Sequence, residues 1–399
     1  MVRRACGVLT LPNFMPLGLY VHIPFCSAIC NYCNFNRGLF DGALKEQYVA
    51  ALLGEIRSAA DSSAVDTIYF GGGTPSLLEP SEVRSVIDAC RQAFAVAPGV
   101  EITLEANPET VTPQRLAGFR AAGINRLSYG VQSFRDDELQ RLTRLHSAGR
   151  AAEAFSMARS AGFDNISLDL MMWLPQQTVP HWLESVDALI GLGPEHASMY
   201  MLEIYPNAPL RDAMARSSWS VAPDDDVAEM YLSGLDRMDT AGYVQYEISN
   251  VSRPGRESRH NLKYWTDGQW RGFGCGAHST RGGVRWKNLS STEEYISAVR
   301  TGAERFGATG SLVAERRALT PDEQLEEALF TGLRLSAGID LQAVKARYGV
   351  DAWARFGEEL QPFVDERLLI YDGRSLRLTW AGMLLAHEVM TVFIRSTVR

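Results

Sequence analysis

The sequence predicts an α/β fold: a partial (β/α)6 barrel of the TIM type, followed by a C-terminal, mostly helical, winged-helix-like domain. Three observations carry this reading. From Gly18 to about Glu203, short apolar runs alternate with amphipathic segments, the pattern of a parallel sheet with right-handed crossovers. The ends of successive runs carry cysteines, glycines or polar groups, which is where such folds place ligands. From about Leu319 the pattern becomes helical, with one short hairpin. Six β-then-α units fall short of the eight that close a barrel, so the barrel is expected to be open.

Taken in order, the strands are expected at Leu19–Ile23, Thr67–Phe70, Glu101–Glu105, Arg126–Tyr129, Asn165–Leu170 and Ala197–Leu202. Helices are expected at Leu44–Ala60, Pro80–Ala95, Pro113–Ala122, just after Phe134, Ala148–Ala161 and Pro180–Leu192. Pro80, Pro113 and Pro180 suit a helix's first turn, where the missing N–H costs nothing. Gly123 and Gly162 stand where a C-terminal glycine ends a helix.

Beyond Glu203, residues 205–209 read as a loop, Asp224–Ala241 as a helix and Tyr243–Val251 as a strand. His260-Asn261-Leu262-Lys263-Tyr264-Trp265 follows, then a glycine-rich loop from Gly272 to His278. In the tail, Leu325, Leu329 and Leu333 recur at helical spacing. Helices at Leu341–Tyr348 and Asp351–Arg367, two strands around Asp372-Gly373 and a last helix from Ala381 complete it. The expected division is an N-terminal extension (1–17), a barrel (18–245), a connecting region (246–318) and the winged-helix-like domain (319–399).

Composition bounds the function. At 46% hydrophobic and 22% charged residues, the chain is an ordinary globular protein. A net charge of −8, with arginines dispersed, gives no nucleic-acid surface. The N-terminal stretch is broken by Pro12, Asn13 and Pro16 and lacks a signal peptide's apolar core. No apolar run is long enough to span a bilayer. Cys6, Cys90 and Cys275 are scattered and make no disulfide framework, so a reducing, cytoplasmic setting is expected.

The remaining cysteines, Cys26, Cys30 and Cys33, form C-x3-C-x2-C directly after the first apolar run. Three thiolates suit an iron–sulfur cubane with one iron left open to a reactant. The same residues also suit a structural zinc site completed by His22 or another histidine. At the later strand ends, Gly71–Gly73 is a tight turn that also admits close backbone approach. Glu105 and Asp169 either cap the next element or bind a ribose or an ammonium. Gln132 can both donate and accept, as a sugar hydroxyl requires. Arg144, read as helical with other arginines nearby, suits a solvated face or an ion pair.

The motif inside His22-Ile23-Pro24-Phe25-Cys26 resembles the radical S-adenosylmethionine (SAM) superfamily. Gly71–Leu77, Glu105–Pro108, Asn125–Phe134 and Leu168–Pro175 resemble its coproporphyrinogen oxidase-like branch. The resemblance implies a [4Fe–4S] cluster on the three cysteines. Its open iron chelates SAM, and electron transfer yields a 5′-deoxyadenosyl radical. It further implies SAM contacts at Tyr20, Tyr32, Gly73, Thr74, Glu105, Gln132, Arg144 and Asp169. The chain departs from the branch at Met172-Trp173, where Tyr-Gly is usual, and at Gln176, where glycine is usual. Both departures put the shape of that loop in question.

The block from Gln245 to His278 resembles the HemW-type heme chaperones of this branch. That implies bound heme and delivery to heme-requiring proteins, including membrane respiratory ones. The runner-up is the oxygen-independent coproporphyrinogen III dehydrogenase of heme synthesis. That enzyme carries a fourth cysteine two residues after the triplet, where this chain has Phe35, and a longer N-terminal segment than the 19 residues before Tyr20. A zinc-stabilised binding module without SAM is the third reading, and it leaves the strand ends unexplained. His260 is the first candidate for a heme ligand, since imidazole commonly ligates heme iron. Tyr264 and Trp265 would pack on the porphyrin while Asn261 orients the ring. Otherwise His260 and Trp265 serve to close the barrel's open edge. His278 is the rival ligand.

Overall fold

The computed structural model describes residues 16–302 and 311–394. The expected extension 1–17, apart from its last two residues, and Cys6 therefore lie outside the described residues.

Six parallel strands stand in chain order at the centre: β1 (Leu17–Ile23), β2 (Ala64–Gly72), β3 (Ala95–Ala106), β4 (Arg126–Gln132), β5 (Ile166–Met172) and β6 (His196–Met201). Between them run α1 (Gly42–Ser58), α2 (Pro80–Ala93), α3 (Pro113–Ala122), α4 (Asp136–Arg141), α5 (Ala148–Ser160) and α6 (Val179–Leu192). The central stretches of the strands are buried on both faces, as helix-covered parallel strands must be. In β1 every residue but Tyr20 is buried. The helix ends follow local chemistry. Glu79 and Glu82 form a reciprocal capping box at α2, with Pro80 in the first turn. Thr112 caps α3, which ends at Gly123 with φ of 113°, a left-handed stop.

The barrel stays open. β6 pairs not with β1 but with an antiparallel hairpin, β7 (Val244–Glu247) and β8 (Asn250–Ser252). The single strand expected over Tyr243–Val251 is thus two strands. The chain reverses at Ile248-Ser249, where Ile248 N–H donates to Arg334 O of the terminal domain. On the other edge, part of the expected glycine-rich loop is a strand, β9 (Trp270–Phe273), parallel to β1. Three antiparallel strands extend it: β10 (His278–Arg281), β11 (Val284–Asn288) and β12 (Val313–Ala318). Helix α9 (Arg259–Trp265) packs against the N-terminal halves of β1 to β3, after α7 (Pro209–Ser217) and α8 (Asp224–Thr240). Lys263 of α9 reaches Asp66 at 2.7 Å.

After α10 (Thr292–Arg300), the terminal domain has helices α11 (Pro321–Gly332), α12 (Leu341–Tyr348) and α13 (Ala352–Asp365). A three-stranded sheet of Ile339–Asp340, Leu369–Tyr371 and Ser375–Leu378 completes the winged-helix-like pattern. The expected last helix is two short ones, Trp380–Leu384 and Ala386–Thr391. Arg334 joins this domain to the hairpin, its Nη2 3.0 Å from Glu247 Oε2. No helix among the described residues is long and apolar enough to cross a membrane.

Candidate functional site

The C-terminal ends of the parallel strands surround a cavity of about 370 Å3, and the cysteine loop lies over it. Its walls include Cys26, Cys30 and Cys33 from the loop and Gly73-Thr74 after β2. Glu105, Gln132 and Asp169 enter it from β3, β4 and β5. Tyr32 and Arg144 close one side. Seven of the nine residues singled out for cofactor contact therefore converge there.

The loop is held in place by its neighbours. His22 Nε2 bonds to Asn36 O at 2.8 Å, and its Nδ1 shares a hydrogen bond with Tyr20 Oη. Asn36 Nδ2 donates to Cys275 O and Ser290 O, each at 3.1 Å. Asn31 Nδ2 donates to Arg141 O at 2.8 Å. Gly73, just after β2, leaves the room the loop needs. A Cβ on Gly73 would lie 2.7 Å from Phe25 O and 3.0 Å from Cys26 Sγ.

All three motif cysteines are free thiols. Burial pushes the thiols of Cys26 and Cys33 up, with Thr74 and the Phe35 backbone opposing. The donor set fits a cubane better than a single zinc ion. Both nitrogens of His22 are engaged away from the cysteines. Among the described residues, no three His, Cys, Asp or Glu side chains converge on one ion position. A cubane takes its thiolates at separate corners, whereas zinc needs them around one atom.

The acidic wall is pre-built. Tyr69 Oη donates to Glu105 Oε1 at 2.7 Å and Gly72 N–H to Oε2 at 3.2 Å. Burial pushes the Glu105 carboxyl up to about 7, with Tyr69's hydrogen bond pulling against it. Asp169 accepts from Ser128 Oγ at 3.3 Å, and burial raises it to about 6. Neither carboxylate caps a helix. Gln132 has φ of 71° at a bulge in β4, a strained setting for a non-glycine residue. Tyr200 Oη donates to its Oε1 at 2.6 Å.

Arg144 corrects the sequence expectation. It is neither helical nor solvated: α4 ends at Arg141, and Arg144 turns inward from the following loop. Its guanidinium loses some stability of the charged form to burial, but Tyr32, Cys30 and Glu109 more than compensate and raise its pKa.

Tyr20 and His260 stand apart from the cavity wall. Tyr20 stacks on Tyr69 at 6.2 Å between ring centroids, and His260 lies 5.1 Å from the Tyr69 ring. His260 is buried, with Nδ1 2.9 Å from Thr67 Oγ1 and Nε2 3.0 Å from Tyr264 Oη. Burial pushes its imidazole down to about 3. Asn261 does not orient that ring; it lines the cavity instead. Trp265 packs under the Arg334 guanidinium at 4.3 Å. His260 thus packs under the central strands, through Thr67 and Glu101, and not at an open edge of the sheet, while Trp265 packs on the terminal domain. His278 is exposed on β10.

Several cavity residues escaped the sequence reading. Tyr69, Arg126, Ser128, Ser198, Tyr200 and Asn250 line the same space. Arg126 is 1% exposed and its Nε has no hydrogen-bond partner. Its charge opposes, without cancelling, the burial that raises both Glu105 and Asp169. The available signal was alternation: Arg126 and Ser128 precede Gly130 and Gln132 on the same face of one strand.

The loop after β5 is left-handed at two of its departures from the branch. Trp173 and Gln176, where glycine is usual, both adopt left-handed backbone, with φ of 65° and 61°. Their side chains hold them there. Trp173 Nε1 donates to Ala222 O at 2.8 Å, and Gln176 Nε2 to Ser220 Oγ at 3.1 Å.

Comparison with known proteins agrees with this geometry. Residues 20–189 match the model of the radical SAM superfamily, and residues 319–385 that of the HemN C-terminal domain. The heme chaperone HemW of Bacillus subtilis is 36% identical over 379 residues, covering 94% of this chain and 98% of that one. The heme chaperone HemW of Mycobacterium tuberculosis strain H37Rv is 37% identical over 395 residues and 97% of each chain. The solved structure of coproporphyrinogen III oxidase (HemN) from Escherichia coli, described as a radical SAM enzyme, superposes with a TM-score of 0.82. It covers 95% of this chain and 90% of its own at 23% identity, a likeness of fold.

Proposed function

The chain belongs to the HemW heme chaperone family within the radical SAM superfamily, and on that premise we propose that it binds a [4Fe–4S] cluster, SAM and heme, and passes the heme to heme-requiring proteins, respiratory ones among them. Cys26, Cys30 and Cys33 would hold the cluster. When bound, it supplies an iron with an open coordination position for SAM and an electron for SAM's cleavage. Gly73 and Thr74 would admit SAM's methionine end. Glu105, Gln132 and Asp169 would bind its polar groups. Arg144 would brace the cysteine loop, and Tyr32 would cover it. Tyr20, behind Tyr69, would act one layer back. The observation that carries this reading is the convergence of three free thiols and two protonatable carboxylates on one cavity at the strand ends. Free thiols of this kind suit a reducing cytoplasm.

Phe35 favours the chaperone over the dehydrogenase. It stands where the dehydrogenase resemblance places a fourth cysteine, and it is 69% exposed. Anaerobic reconstitution followed by separate heme titration and coproporphyrinogen III assays tests the proposal. Heme binding with no porphyrinogen conversion is the expected result. Turnover on the order of 1 per second, typical of enzymes, overturns it.

A further inference from the structure

The inward faces of the strands are polar below the cysteine layer as well. Thr67, Thr103, Arg126, Ser128, His196 and Ser198 alternate along them with apolar core residues. Several of these groups are satisfied. Thr67 Oγ1 meets His260, and His196 meets Ser167 at Nδ1 and Tyr246 at Nε2, both at 2.8 Å. Ser128 Oγ donates to Asp169. Arg126 is the charged exception. It is 1% exposed, yet it makes no ion pair among the described residues and its Nε has no partner.

The carboxylates of the neighbouring β3 are committed elsewhere. Glu101 accepts from the backbone N–H groups of Arg259 and His260, and Glu105 from Tyr69 and Gly72. A second buried atom in the wall of the same cavity, Asn250 Oδ1, is also unpartnered, while its Nδ2 donates to Glu247. Register sets the depth. Arg126 lies beside Thr103, one inward step below Glu105, and two below Gly130, which pairs with Asp169. An inward step is two residues, roughly 7 Å of strand. Arg126 still lines the cavity, so the space runs from the cysteines down to its guanidinium. A cation buried without an anion is destabilising, and an anion entering the cavity relieves it.

We propose that the bottom of this cavity is a second binding site, below the layer assigned to SAM, which takes the carboxylate of a small organic acid on the Arg126 guanidinium. The inference goes beyond the chaperone reading and borrows from it only the seat of SAM, whose carboxylate-bearing methionine end lies at Gly73 and Thr74, beside the cysteines. A carboxylate fits better than a phosphate. Its two oxygens match the planar fork of a guanidinium. It also brings a single charge, whereas a dianion would oppose Glu105 and Asp169, both of which sense Arg126. Ser198 and Asn261, on the same walls, offer a hydroxyl and an amide to the rest of the ligand.

The test uses the full chain with its cluster reconstituted, with and without SAM, and acetate as the probe. Binding is followed by the carbon-13 line width of labelled acetate and by thermal unfolding, against sodium chloride and sodium phosphate at equal ionic strength. The acetate line should broaden and the unfolding temperature rise saturably, with SAM present as well as absent; chloride and phosphate should do neither. Arg126→Gln should weaken acetate binding at least about tenfold, roughly 1.4 kcal/mol, with SAM affinity parent-like. Circular dichroism and iron content show whether that variant is folded and loaded. If it is not, Arg126→Lys, which keeps the charge and loses the fork, should still weaken acetate by a few-fold. Acetate that behaves as chloride does, phosphate that binds as well, or acetate affinity unmoved in the folded variant overturns the site. So does competition between acetate and SAM, or SAM affinity that falls together with acetate's in Arg126→Gln, since each makes Arg126 part of SAM's own pocket.

Discussion

Arg144 Nη1 lies 3.6 Å from the Sγ of Cys30, while Nη2 of the same guanidinium donates to Asn107 Oδ1 at 2.9 Å and to Gly130 O at 2.6 Å. One side chain thus ties the cysteine loop to the ends of β3 and β4. A planar fork makes these bonds together; a lysine ammonium keeps the charge but not the geometry.

Arg144→Lys should therefore load its cluster yet bind SAM more weakly. Losing one or two charge-assisted bonds is worth about 1.5–3 kcal/mol each, so a drop of about tenfold or more is expected. Calorimetric titration of SAM into the reconstituted variant reads it. Parent-like SAM affinity would separate Arg144 from the site.

The cluster assignment has a direct readout. Reconstituted parent protein should hold about four irons and show charge-transfer absorbance in the visible range. Cys30→Ser should lose that absorbance, and Cys275→Ser should keep it, since the Cys275 thiol is buried near Thr292 and outside the cavity. Stoichiometric zinc in anaerobically purified protein, with no cluster after reconstitution, restores the zinc reading.

Glu105 makes the ligand-free protein sensitive to pH in a defined direction. Its folded-state pKa is raised from 4.5 to about 7. The folded state therefore holds a proton that the unfolded chain has already released. That contribution is fully present below the unfolded value and is lost as pH rises towards the folded one. Between pH 4.5 and 7 the parent should lose stability relative to Glu105→Gln, by on the order of 1–3 kcal/mol. Thermal unfolding of both proteins across that range measures the difference. Parallel curves would mean that Glu105 is charged in the fold.

The six strands and their helices were legible because burial on both faces writes long apolar runs into the chain. The three cysteines and the glycine turn were legible for the same reason: spacing is a one-dimensional signal. Tyr69 and Tyr200 were not, because an aromatic residue within an apolar strand reads as core, and only alternation along β4 pointed to Arg126. The β7–β8 reversal at Ile248 also escaped notice, since it depends on a hydrogen bond to Arg334, far along the chain. Arg144 was misread because charge near other arginines looks solvated until the loop after α4 turns it inward.

The last prediction concerns His260, which the structure makes a seat for α9. Its ring bonds Thr67 and Tyr264, and its backbone N–H donates to Glu101 Oε1 at 3.1 Å. The next residue, Asn261, reaches the cavity wall. Removing the ring strands two buried hydroxyls and opens a cavity beside Tyr69. His260→Ala should cost about 2–4 kcal/mol of stability from those two effects. Because α9 carries Asn261, SAM and heme affinity should both weaken, by a few-fold, in step with the loosening of that helix. The Soret maximum of the heme that still binds should not move, since both ring nitrogens are already engaged, by Thr67 and Tyr264. Hydrogen exchange over residues 259–265 should rise in the variant, and His260→Gln, which can keep one bond, should recover part of the loss. A displaced Soret maximum in a variant with parent-like exchange across α9 would instead make His260 a heme ligand.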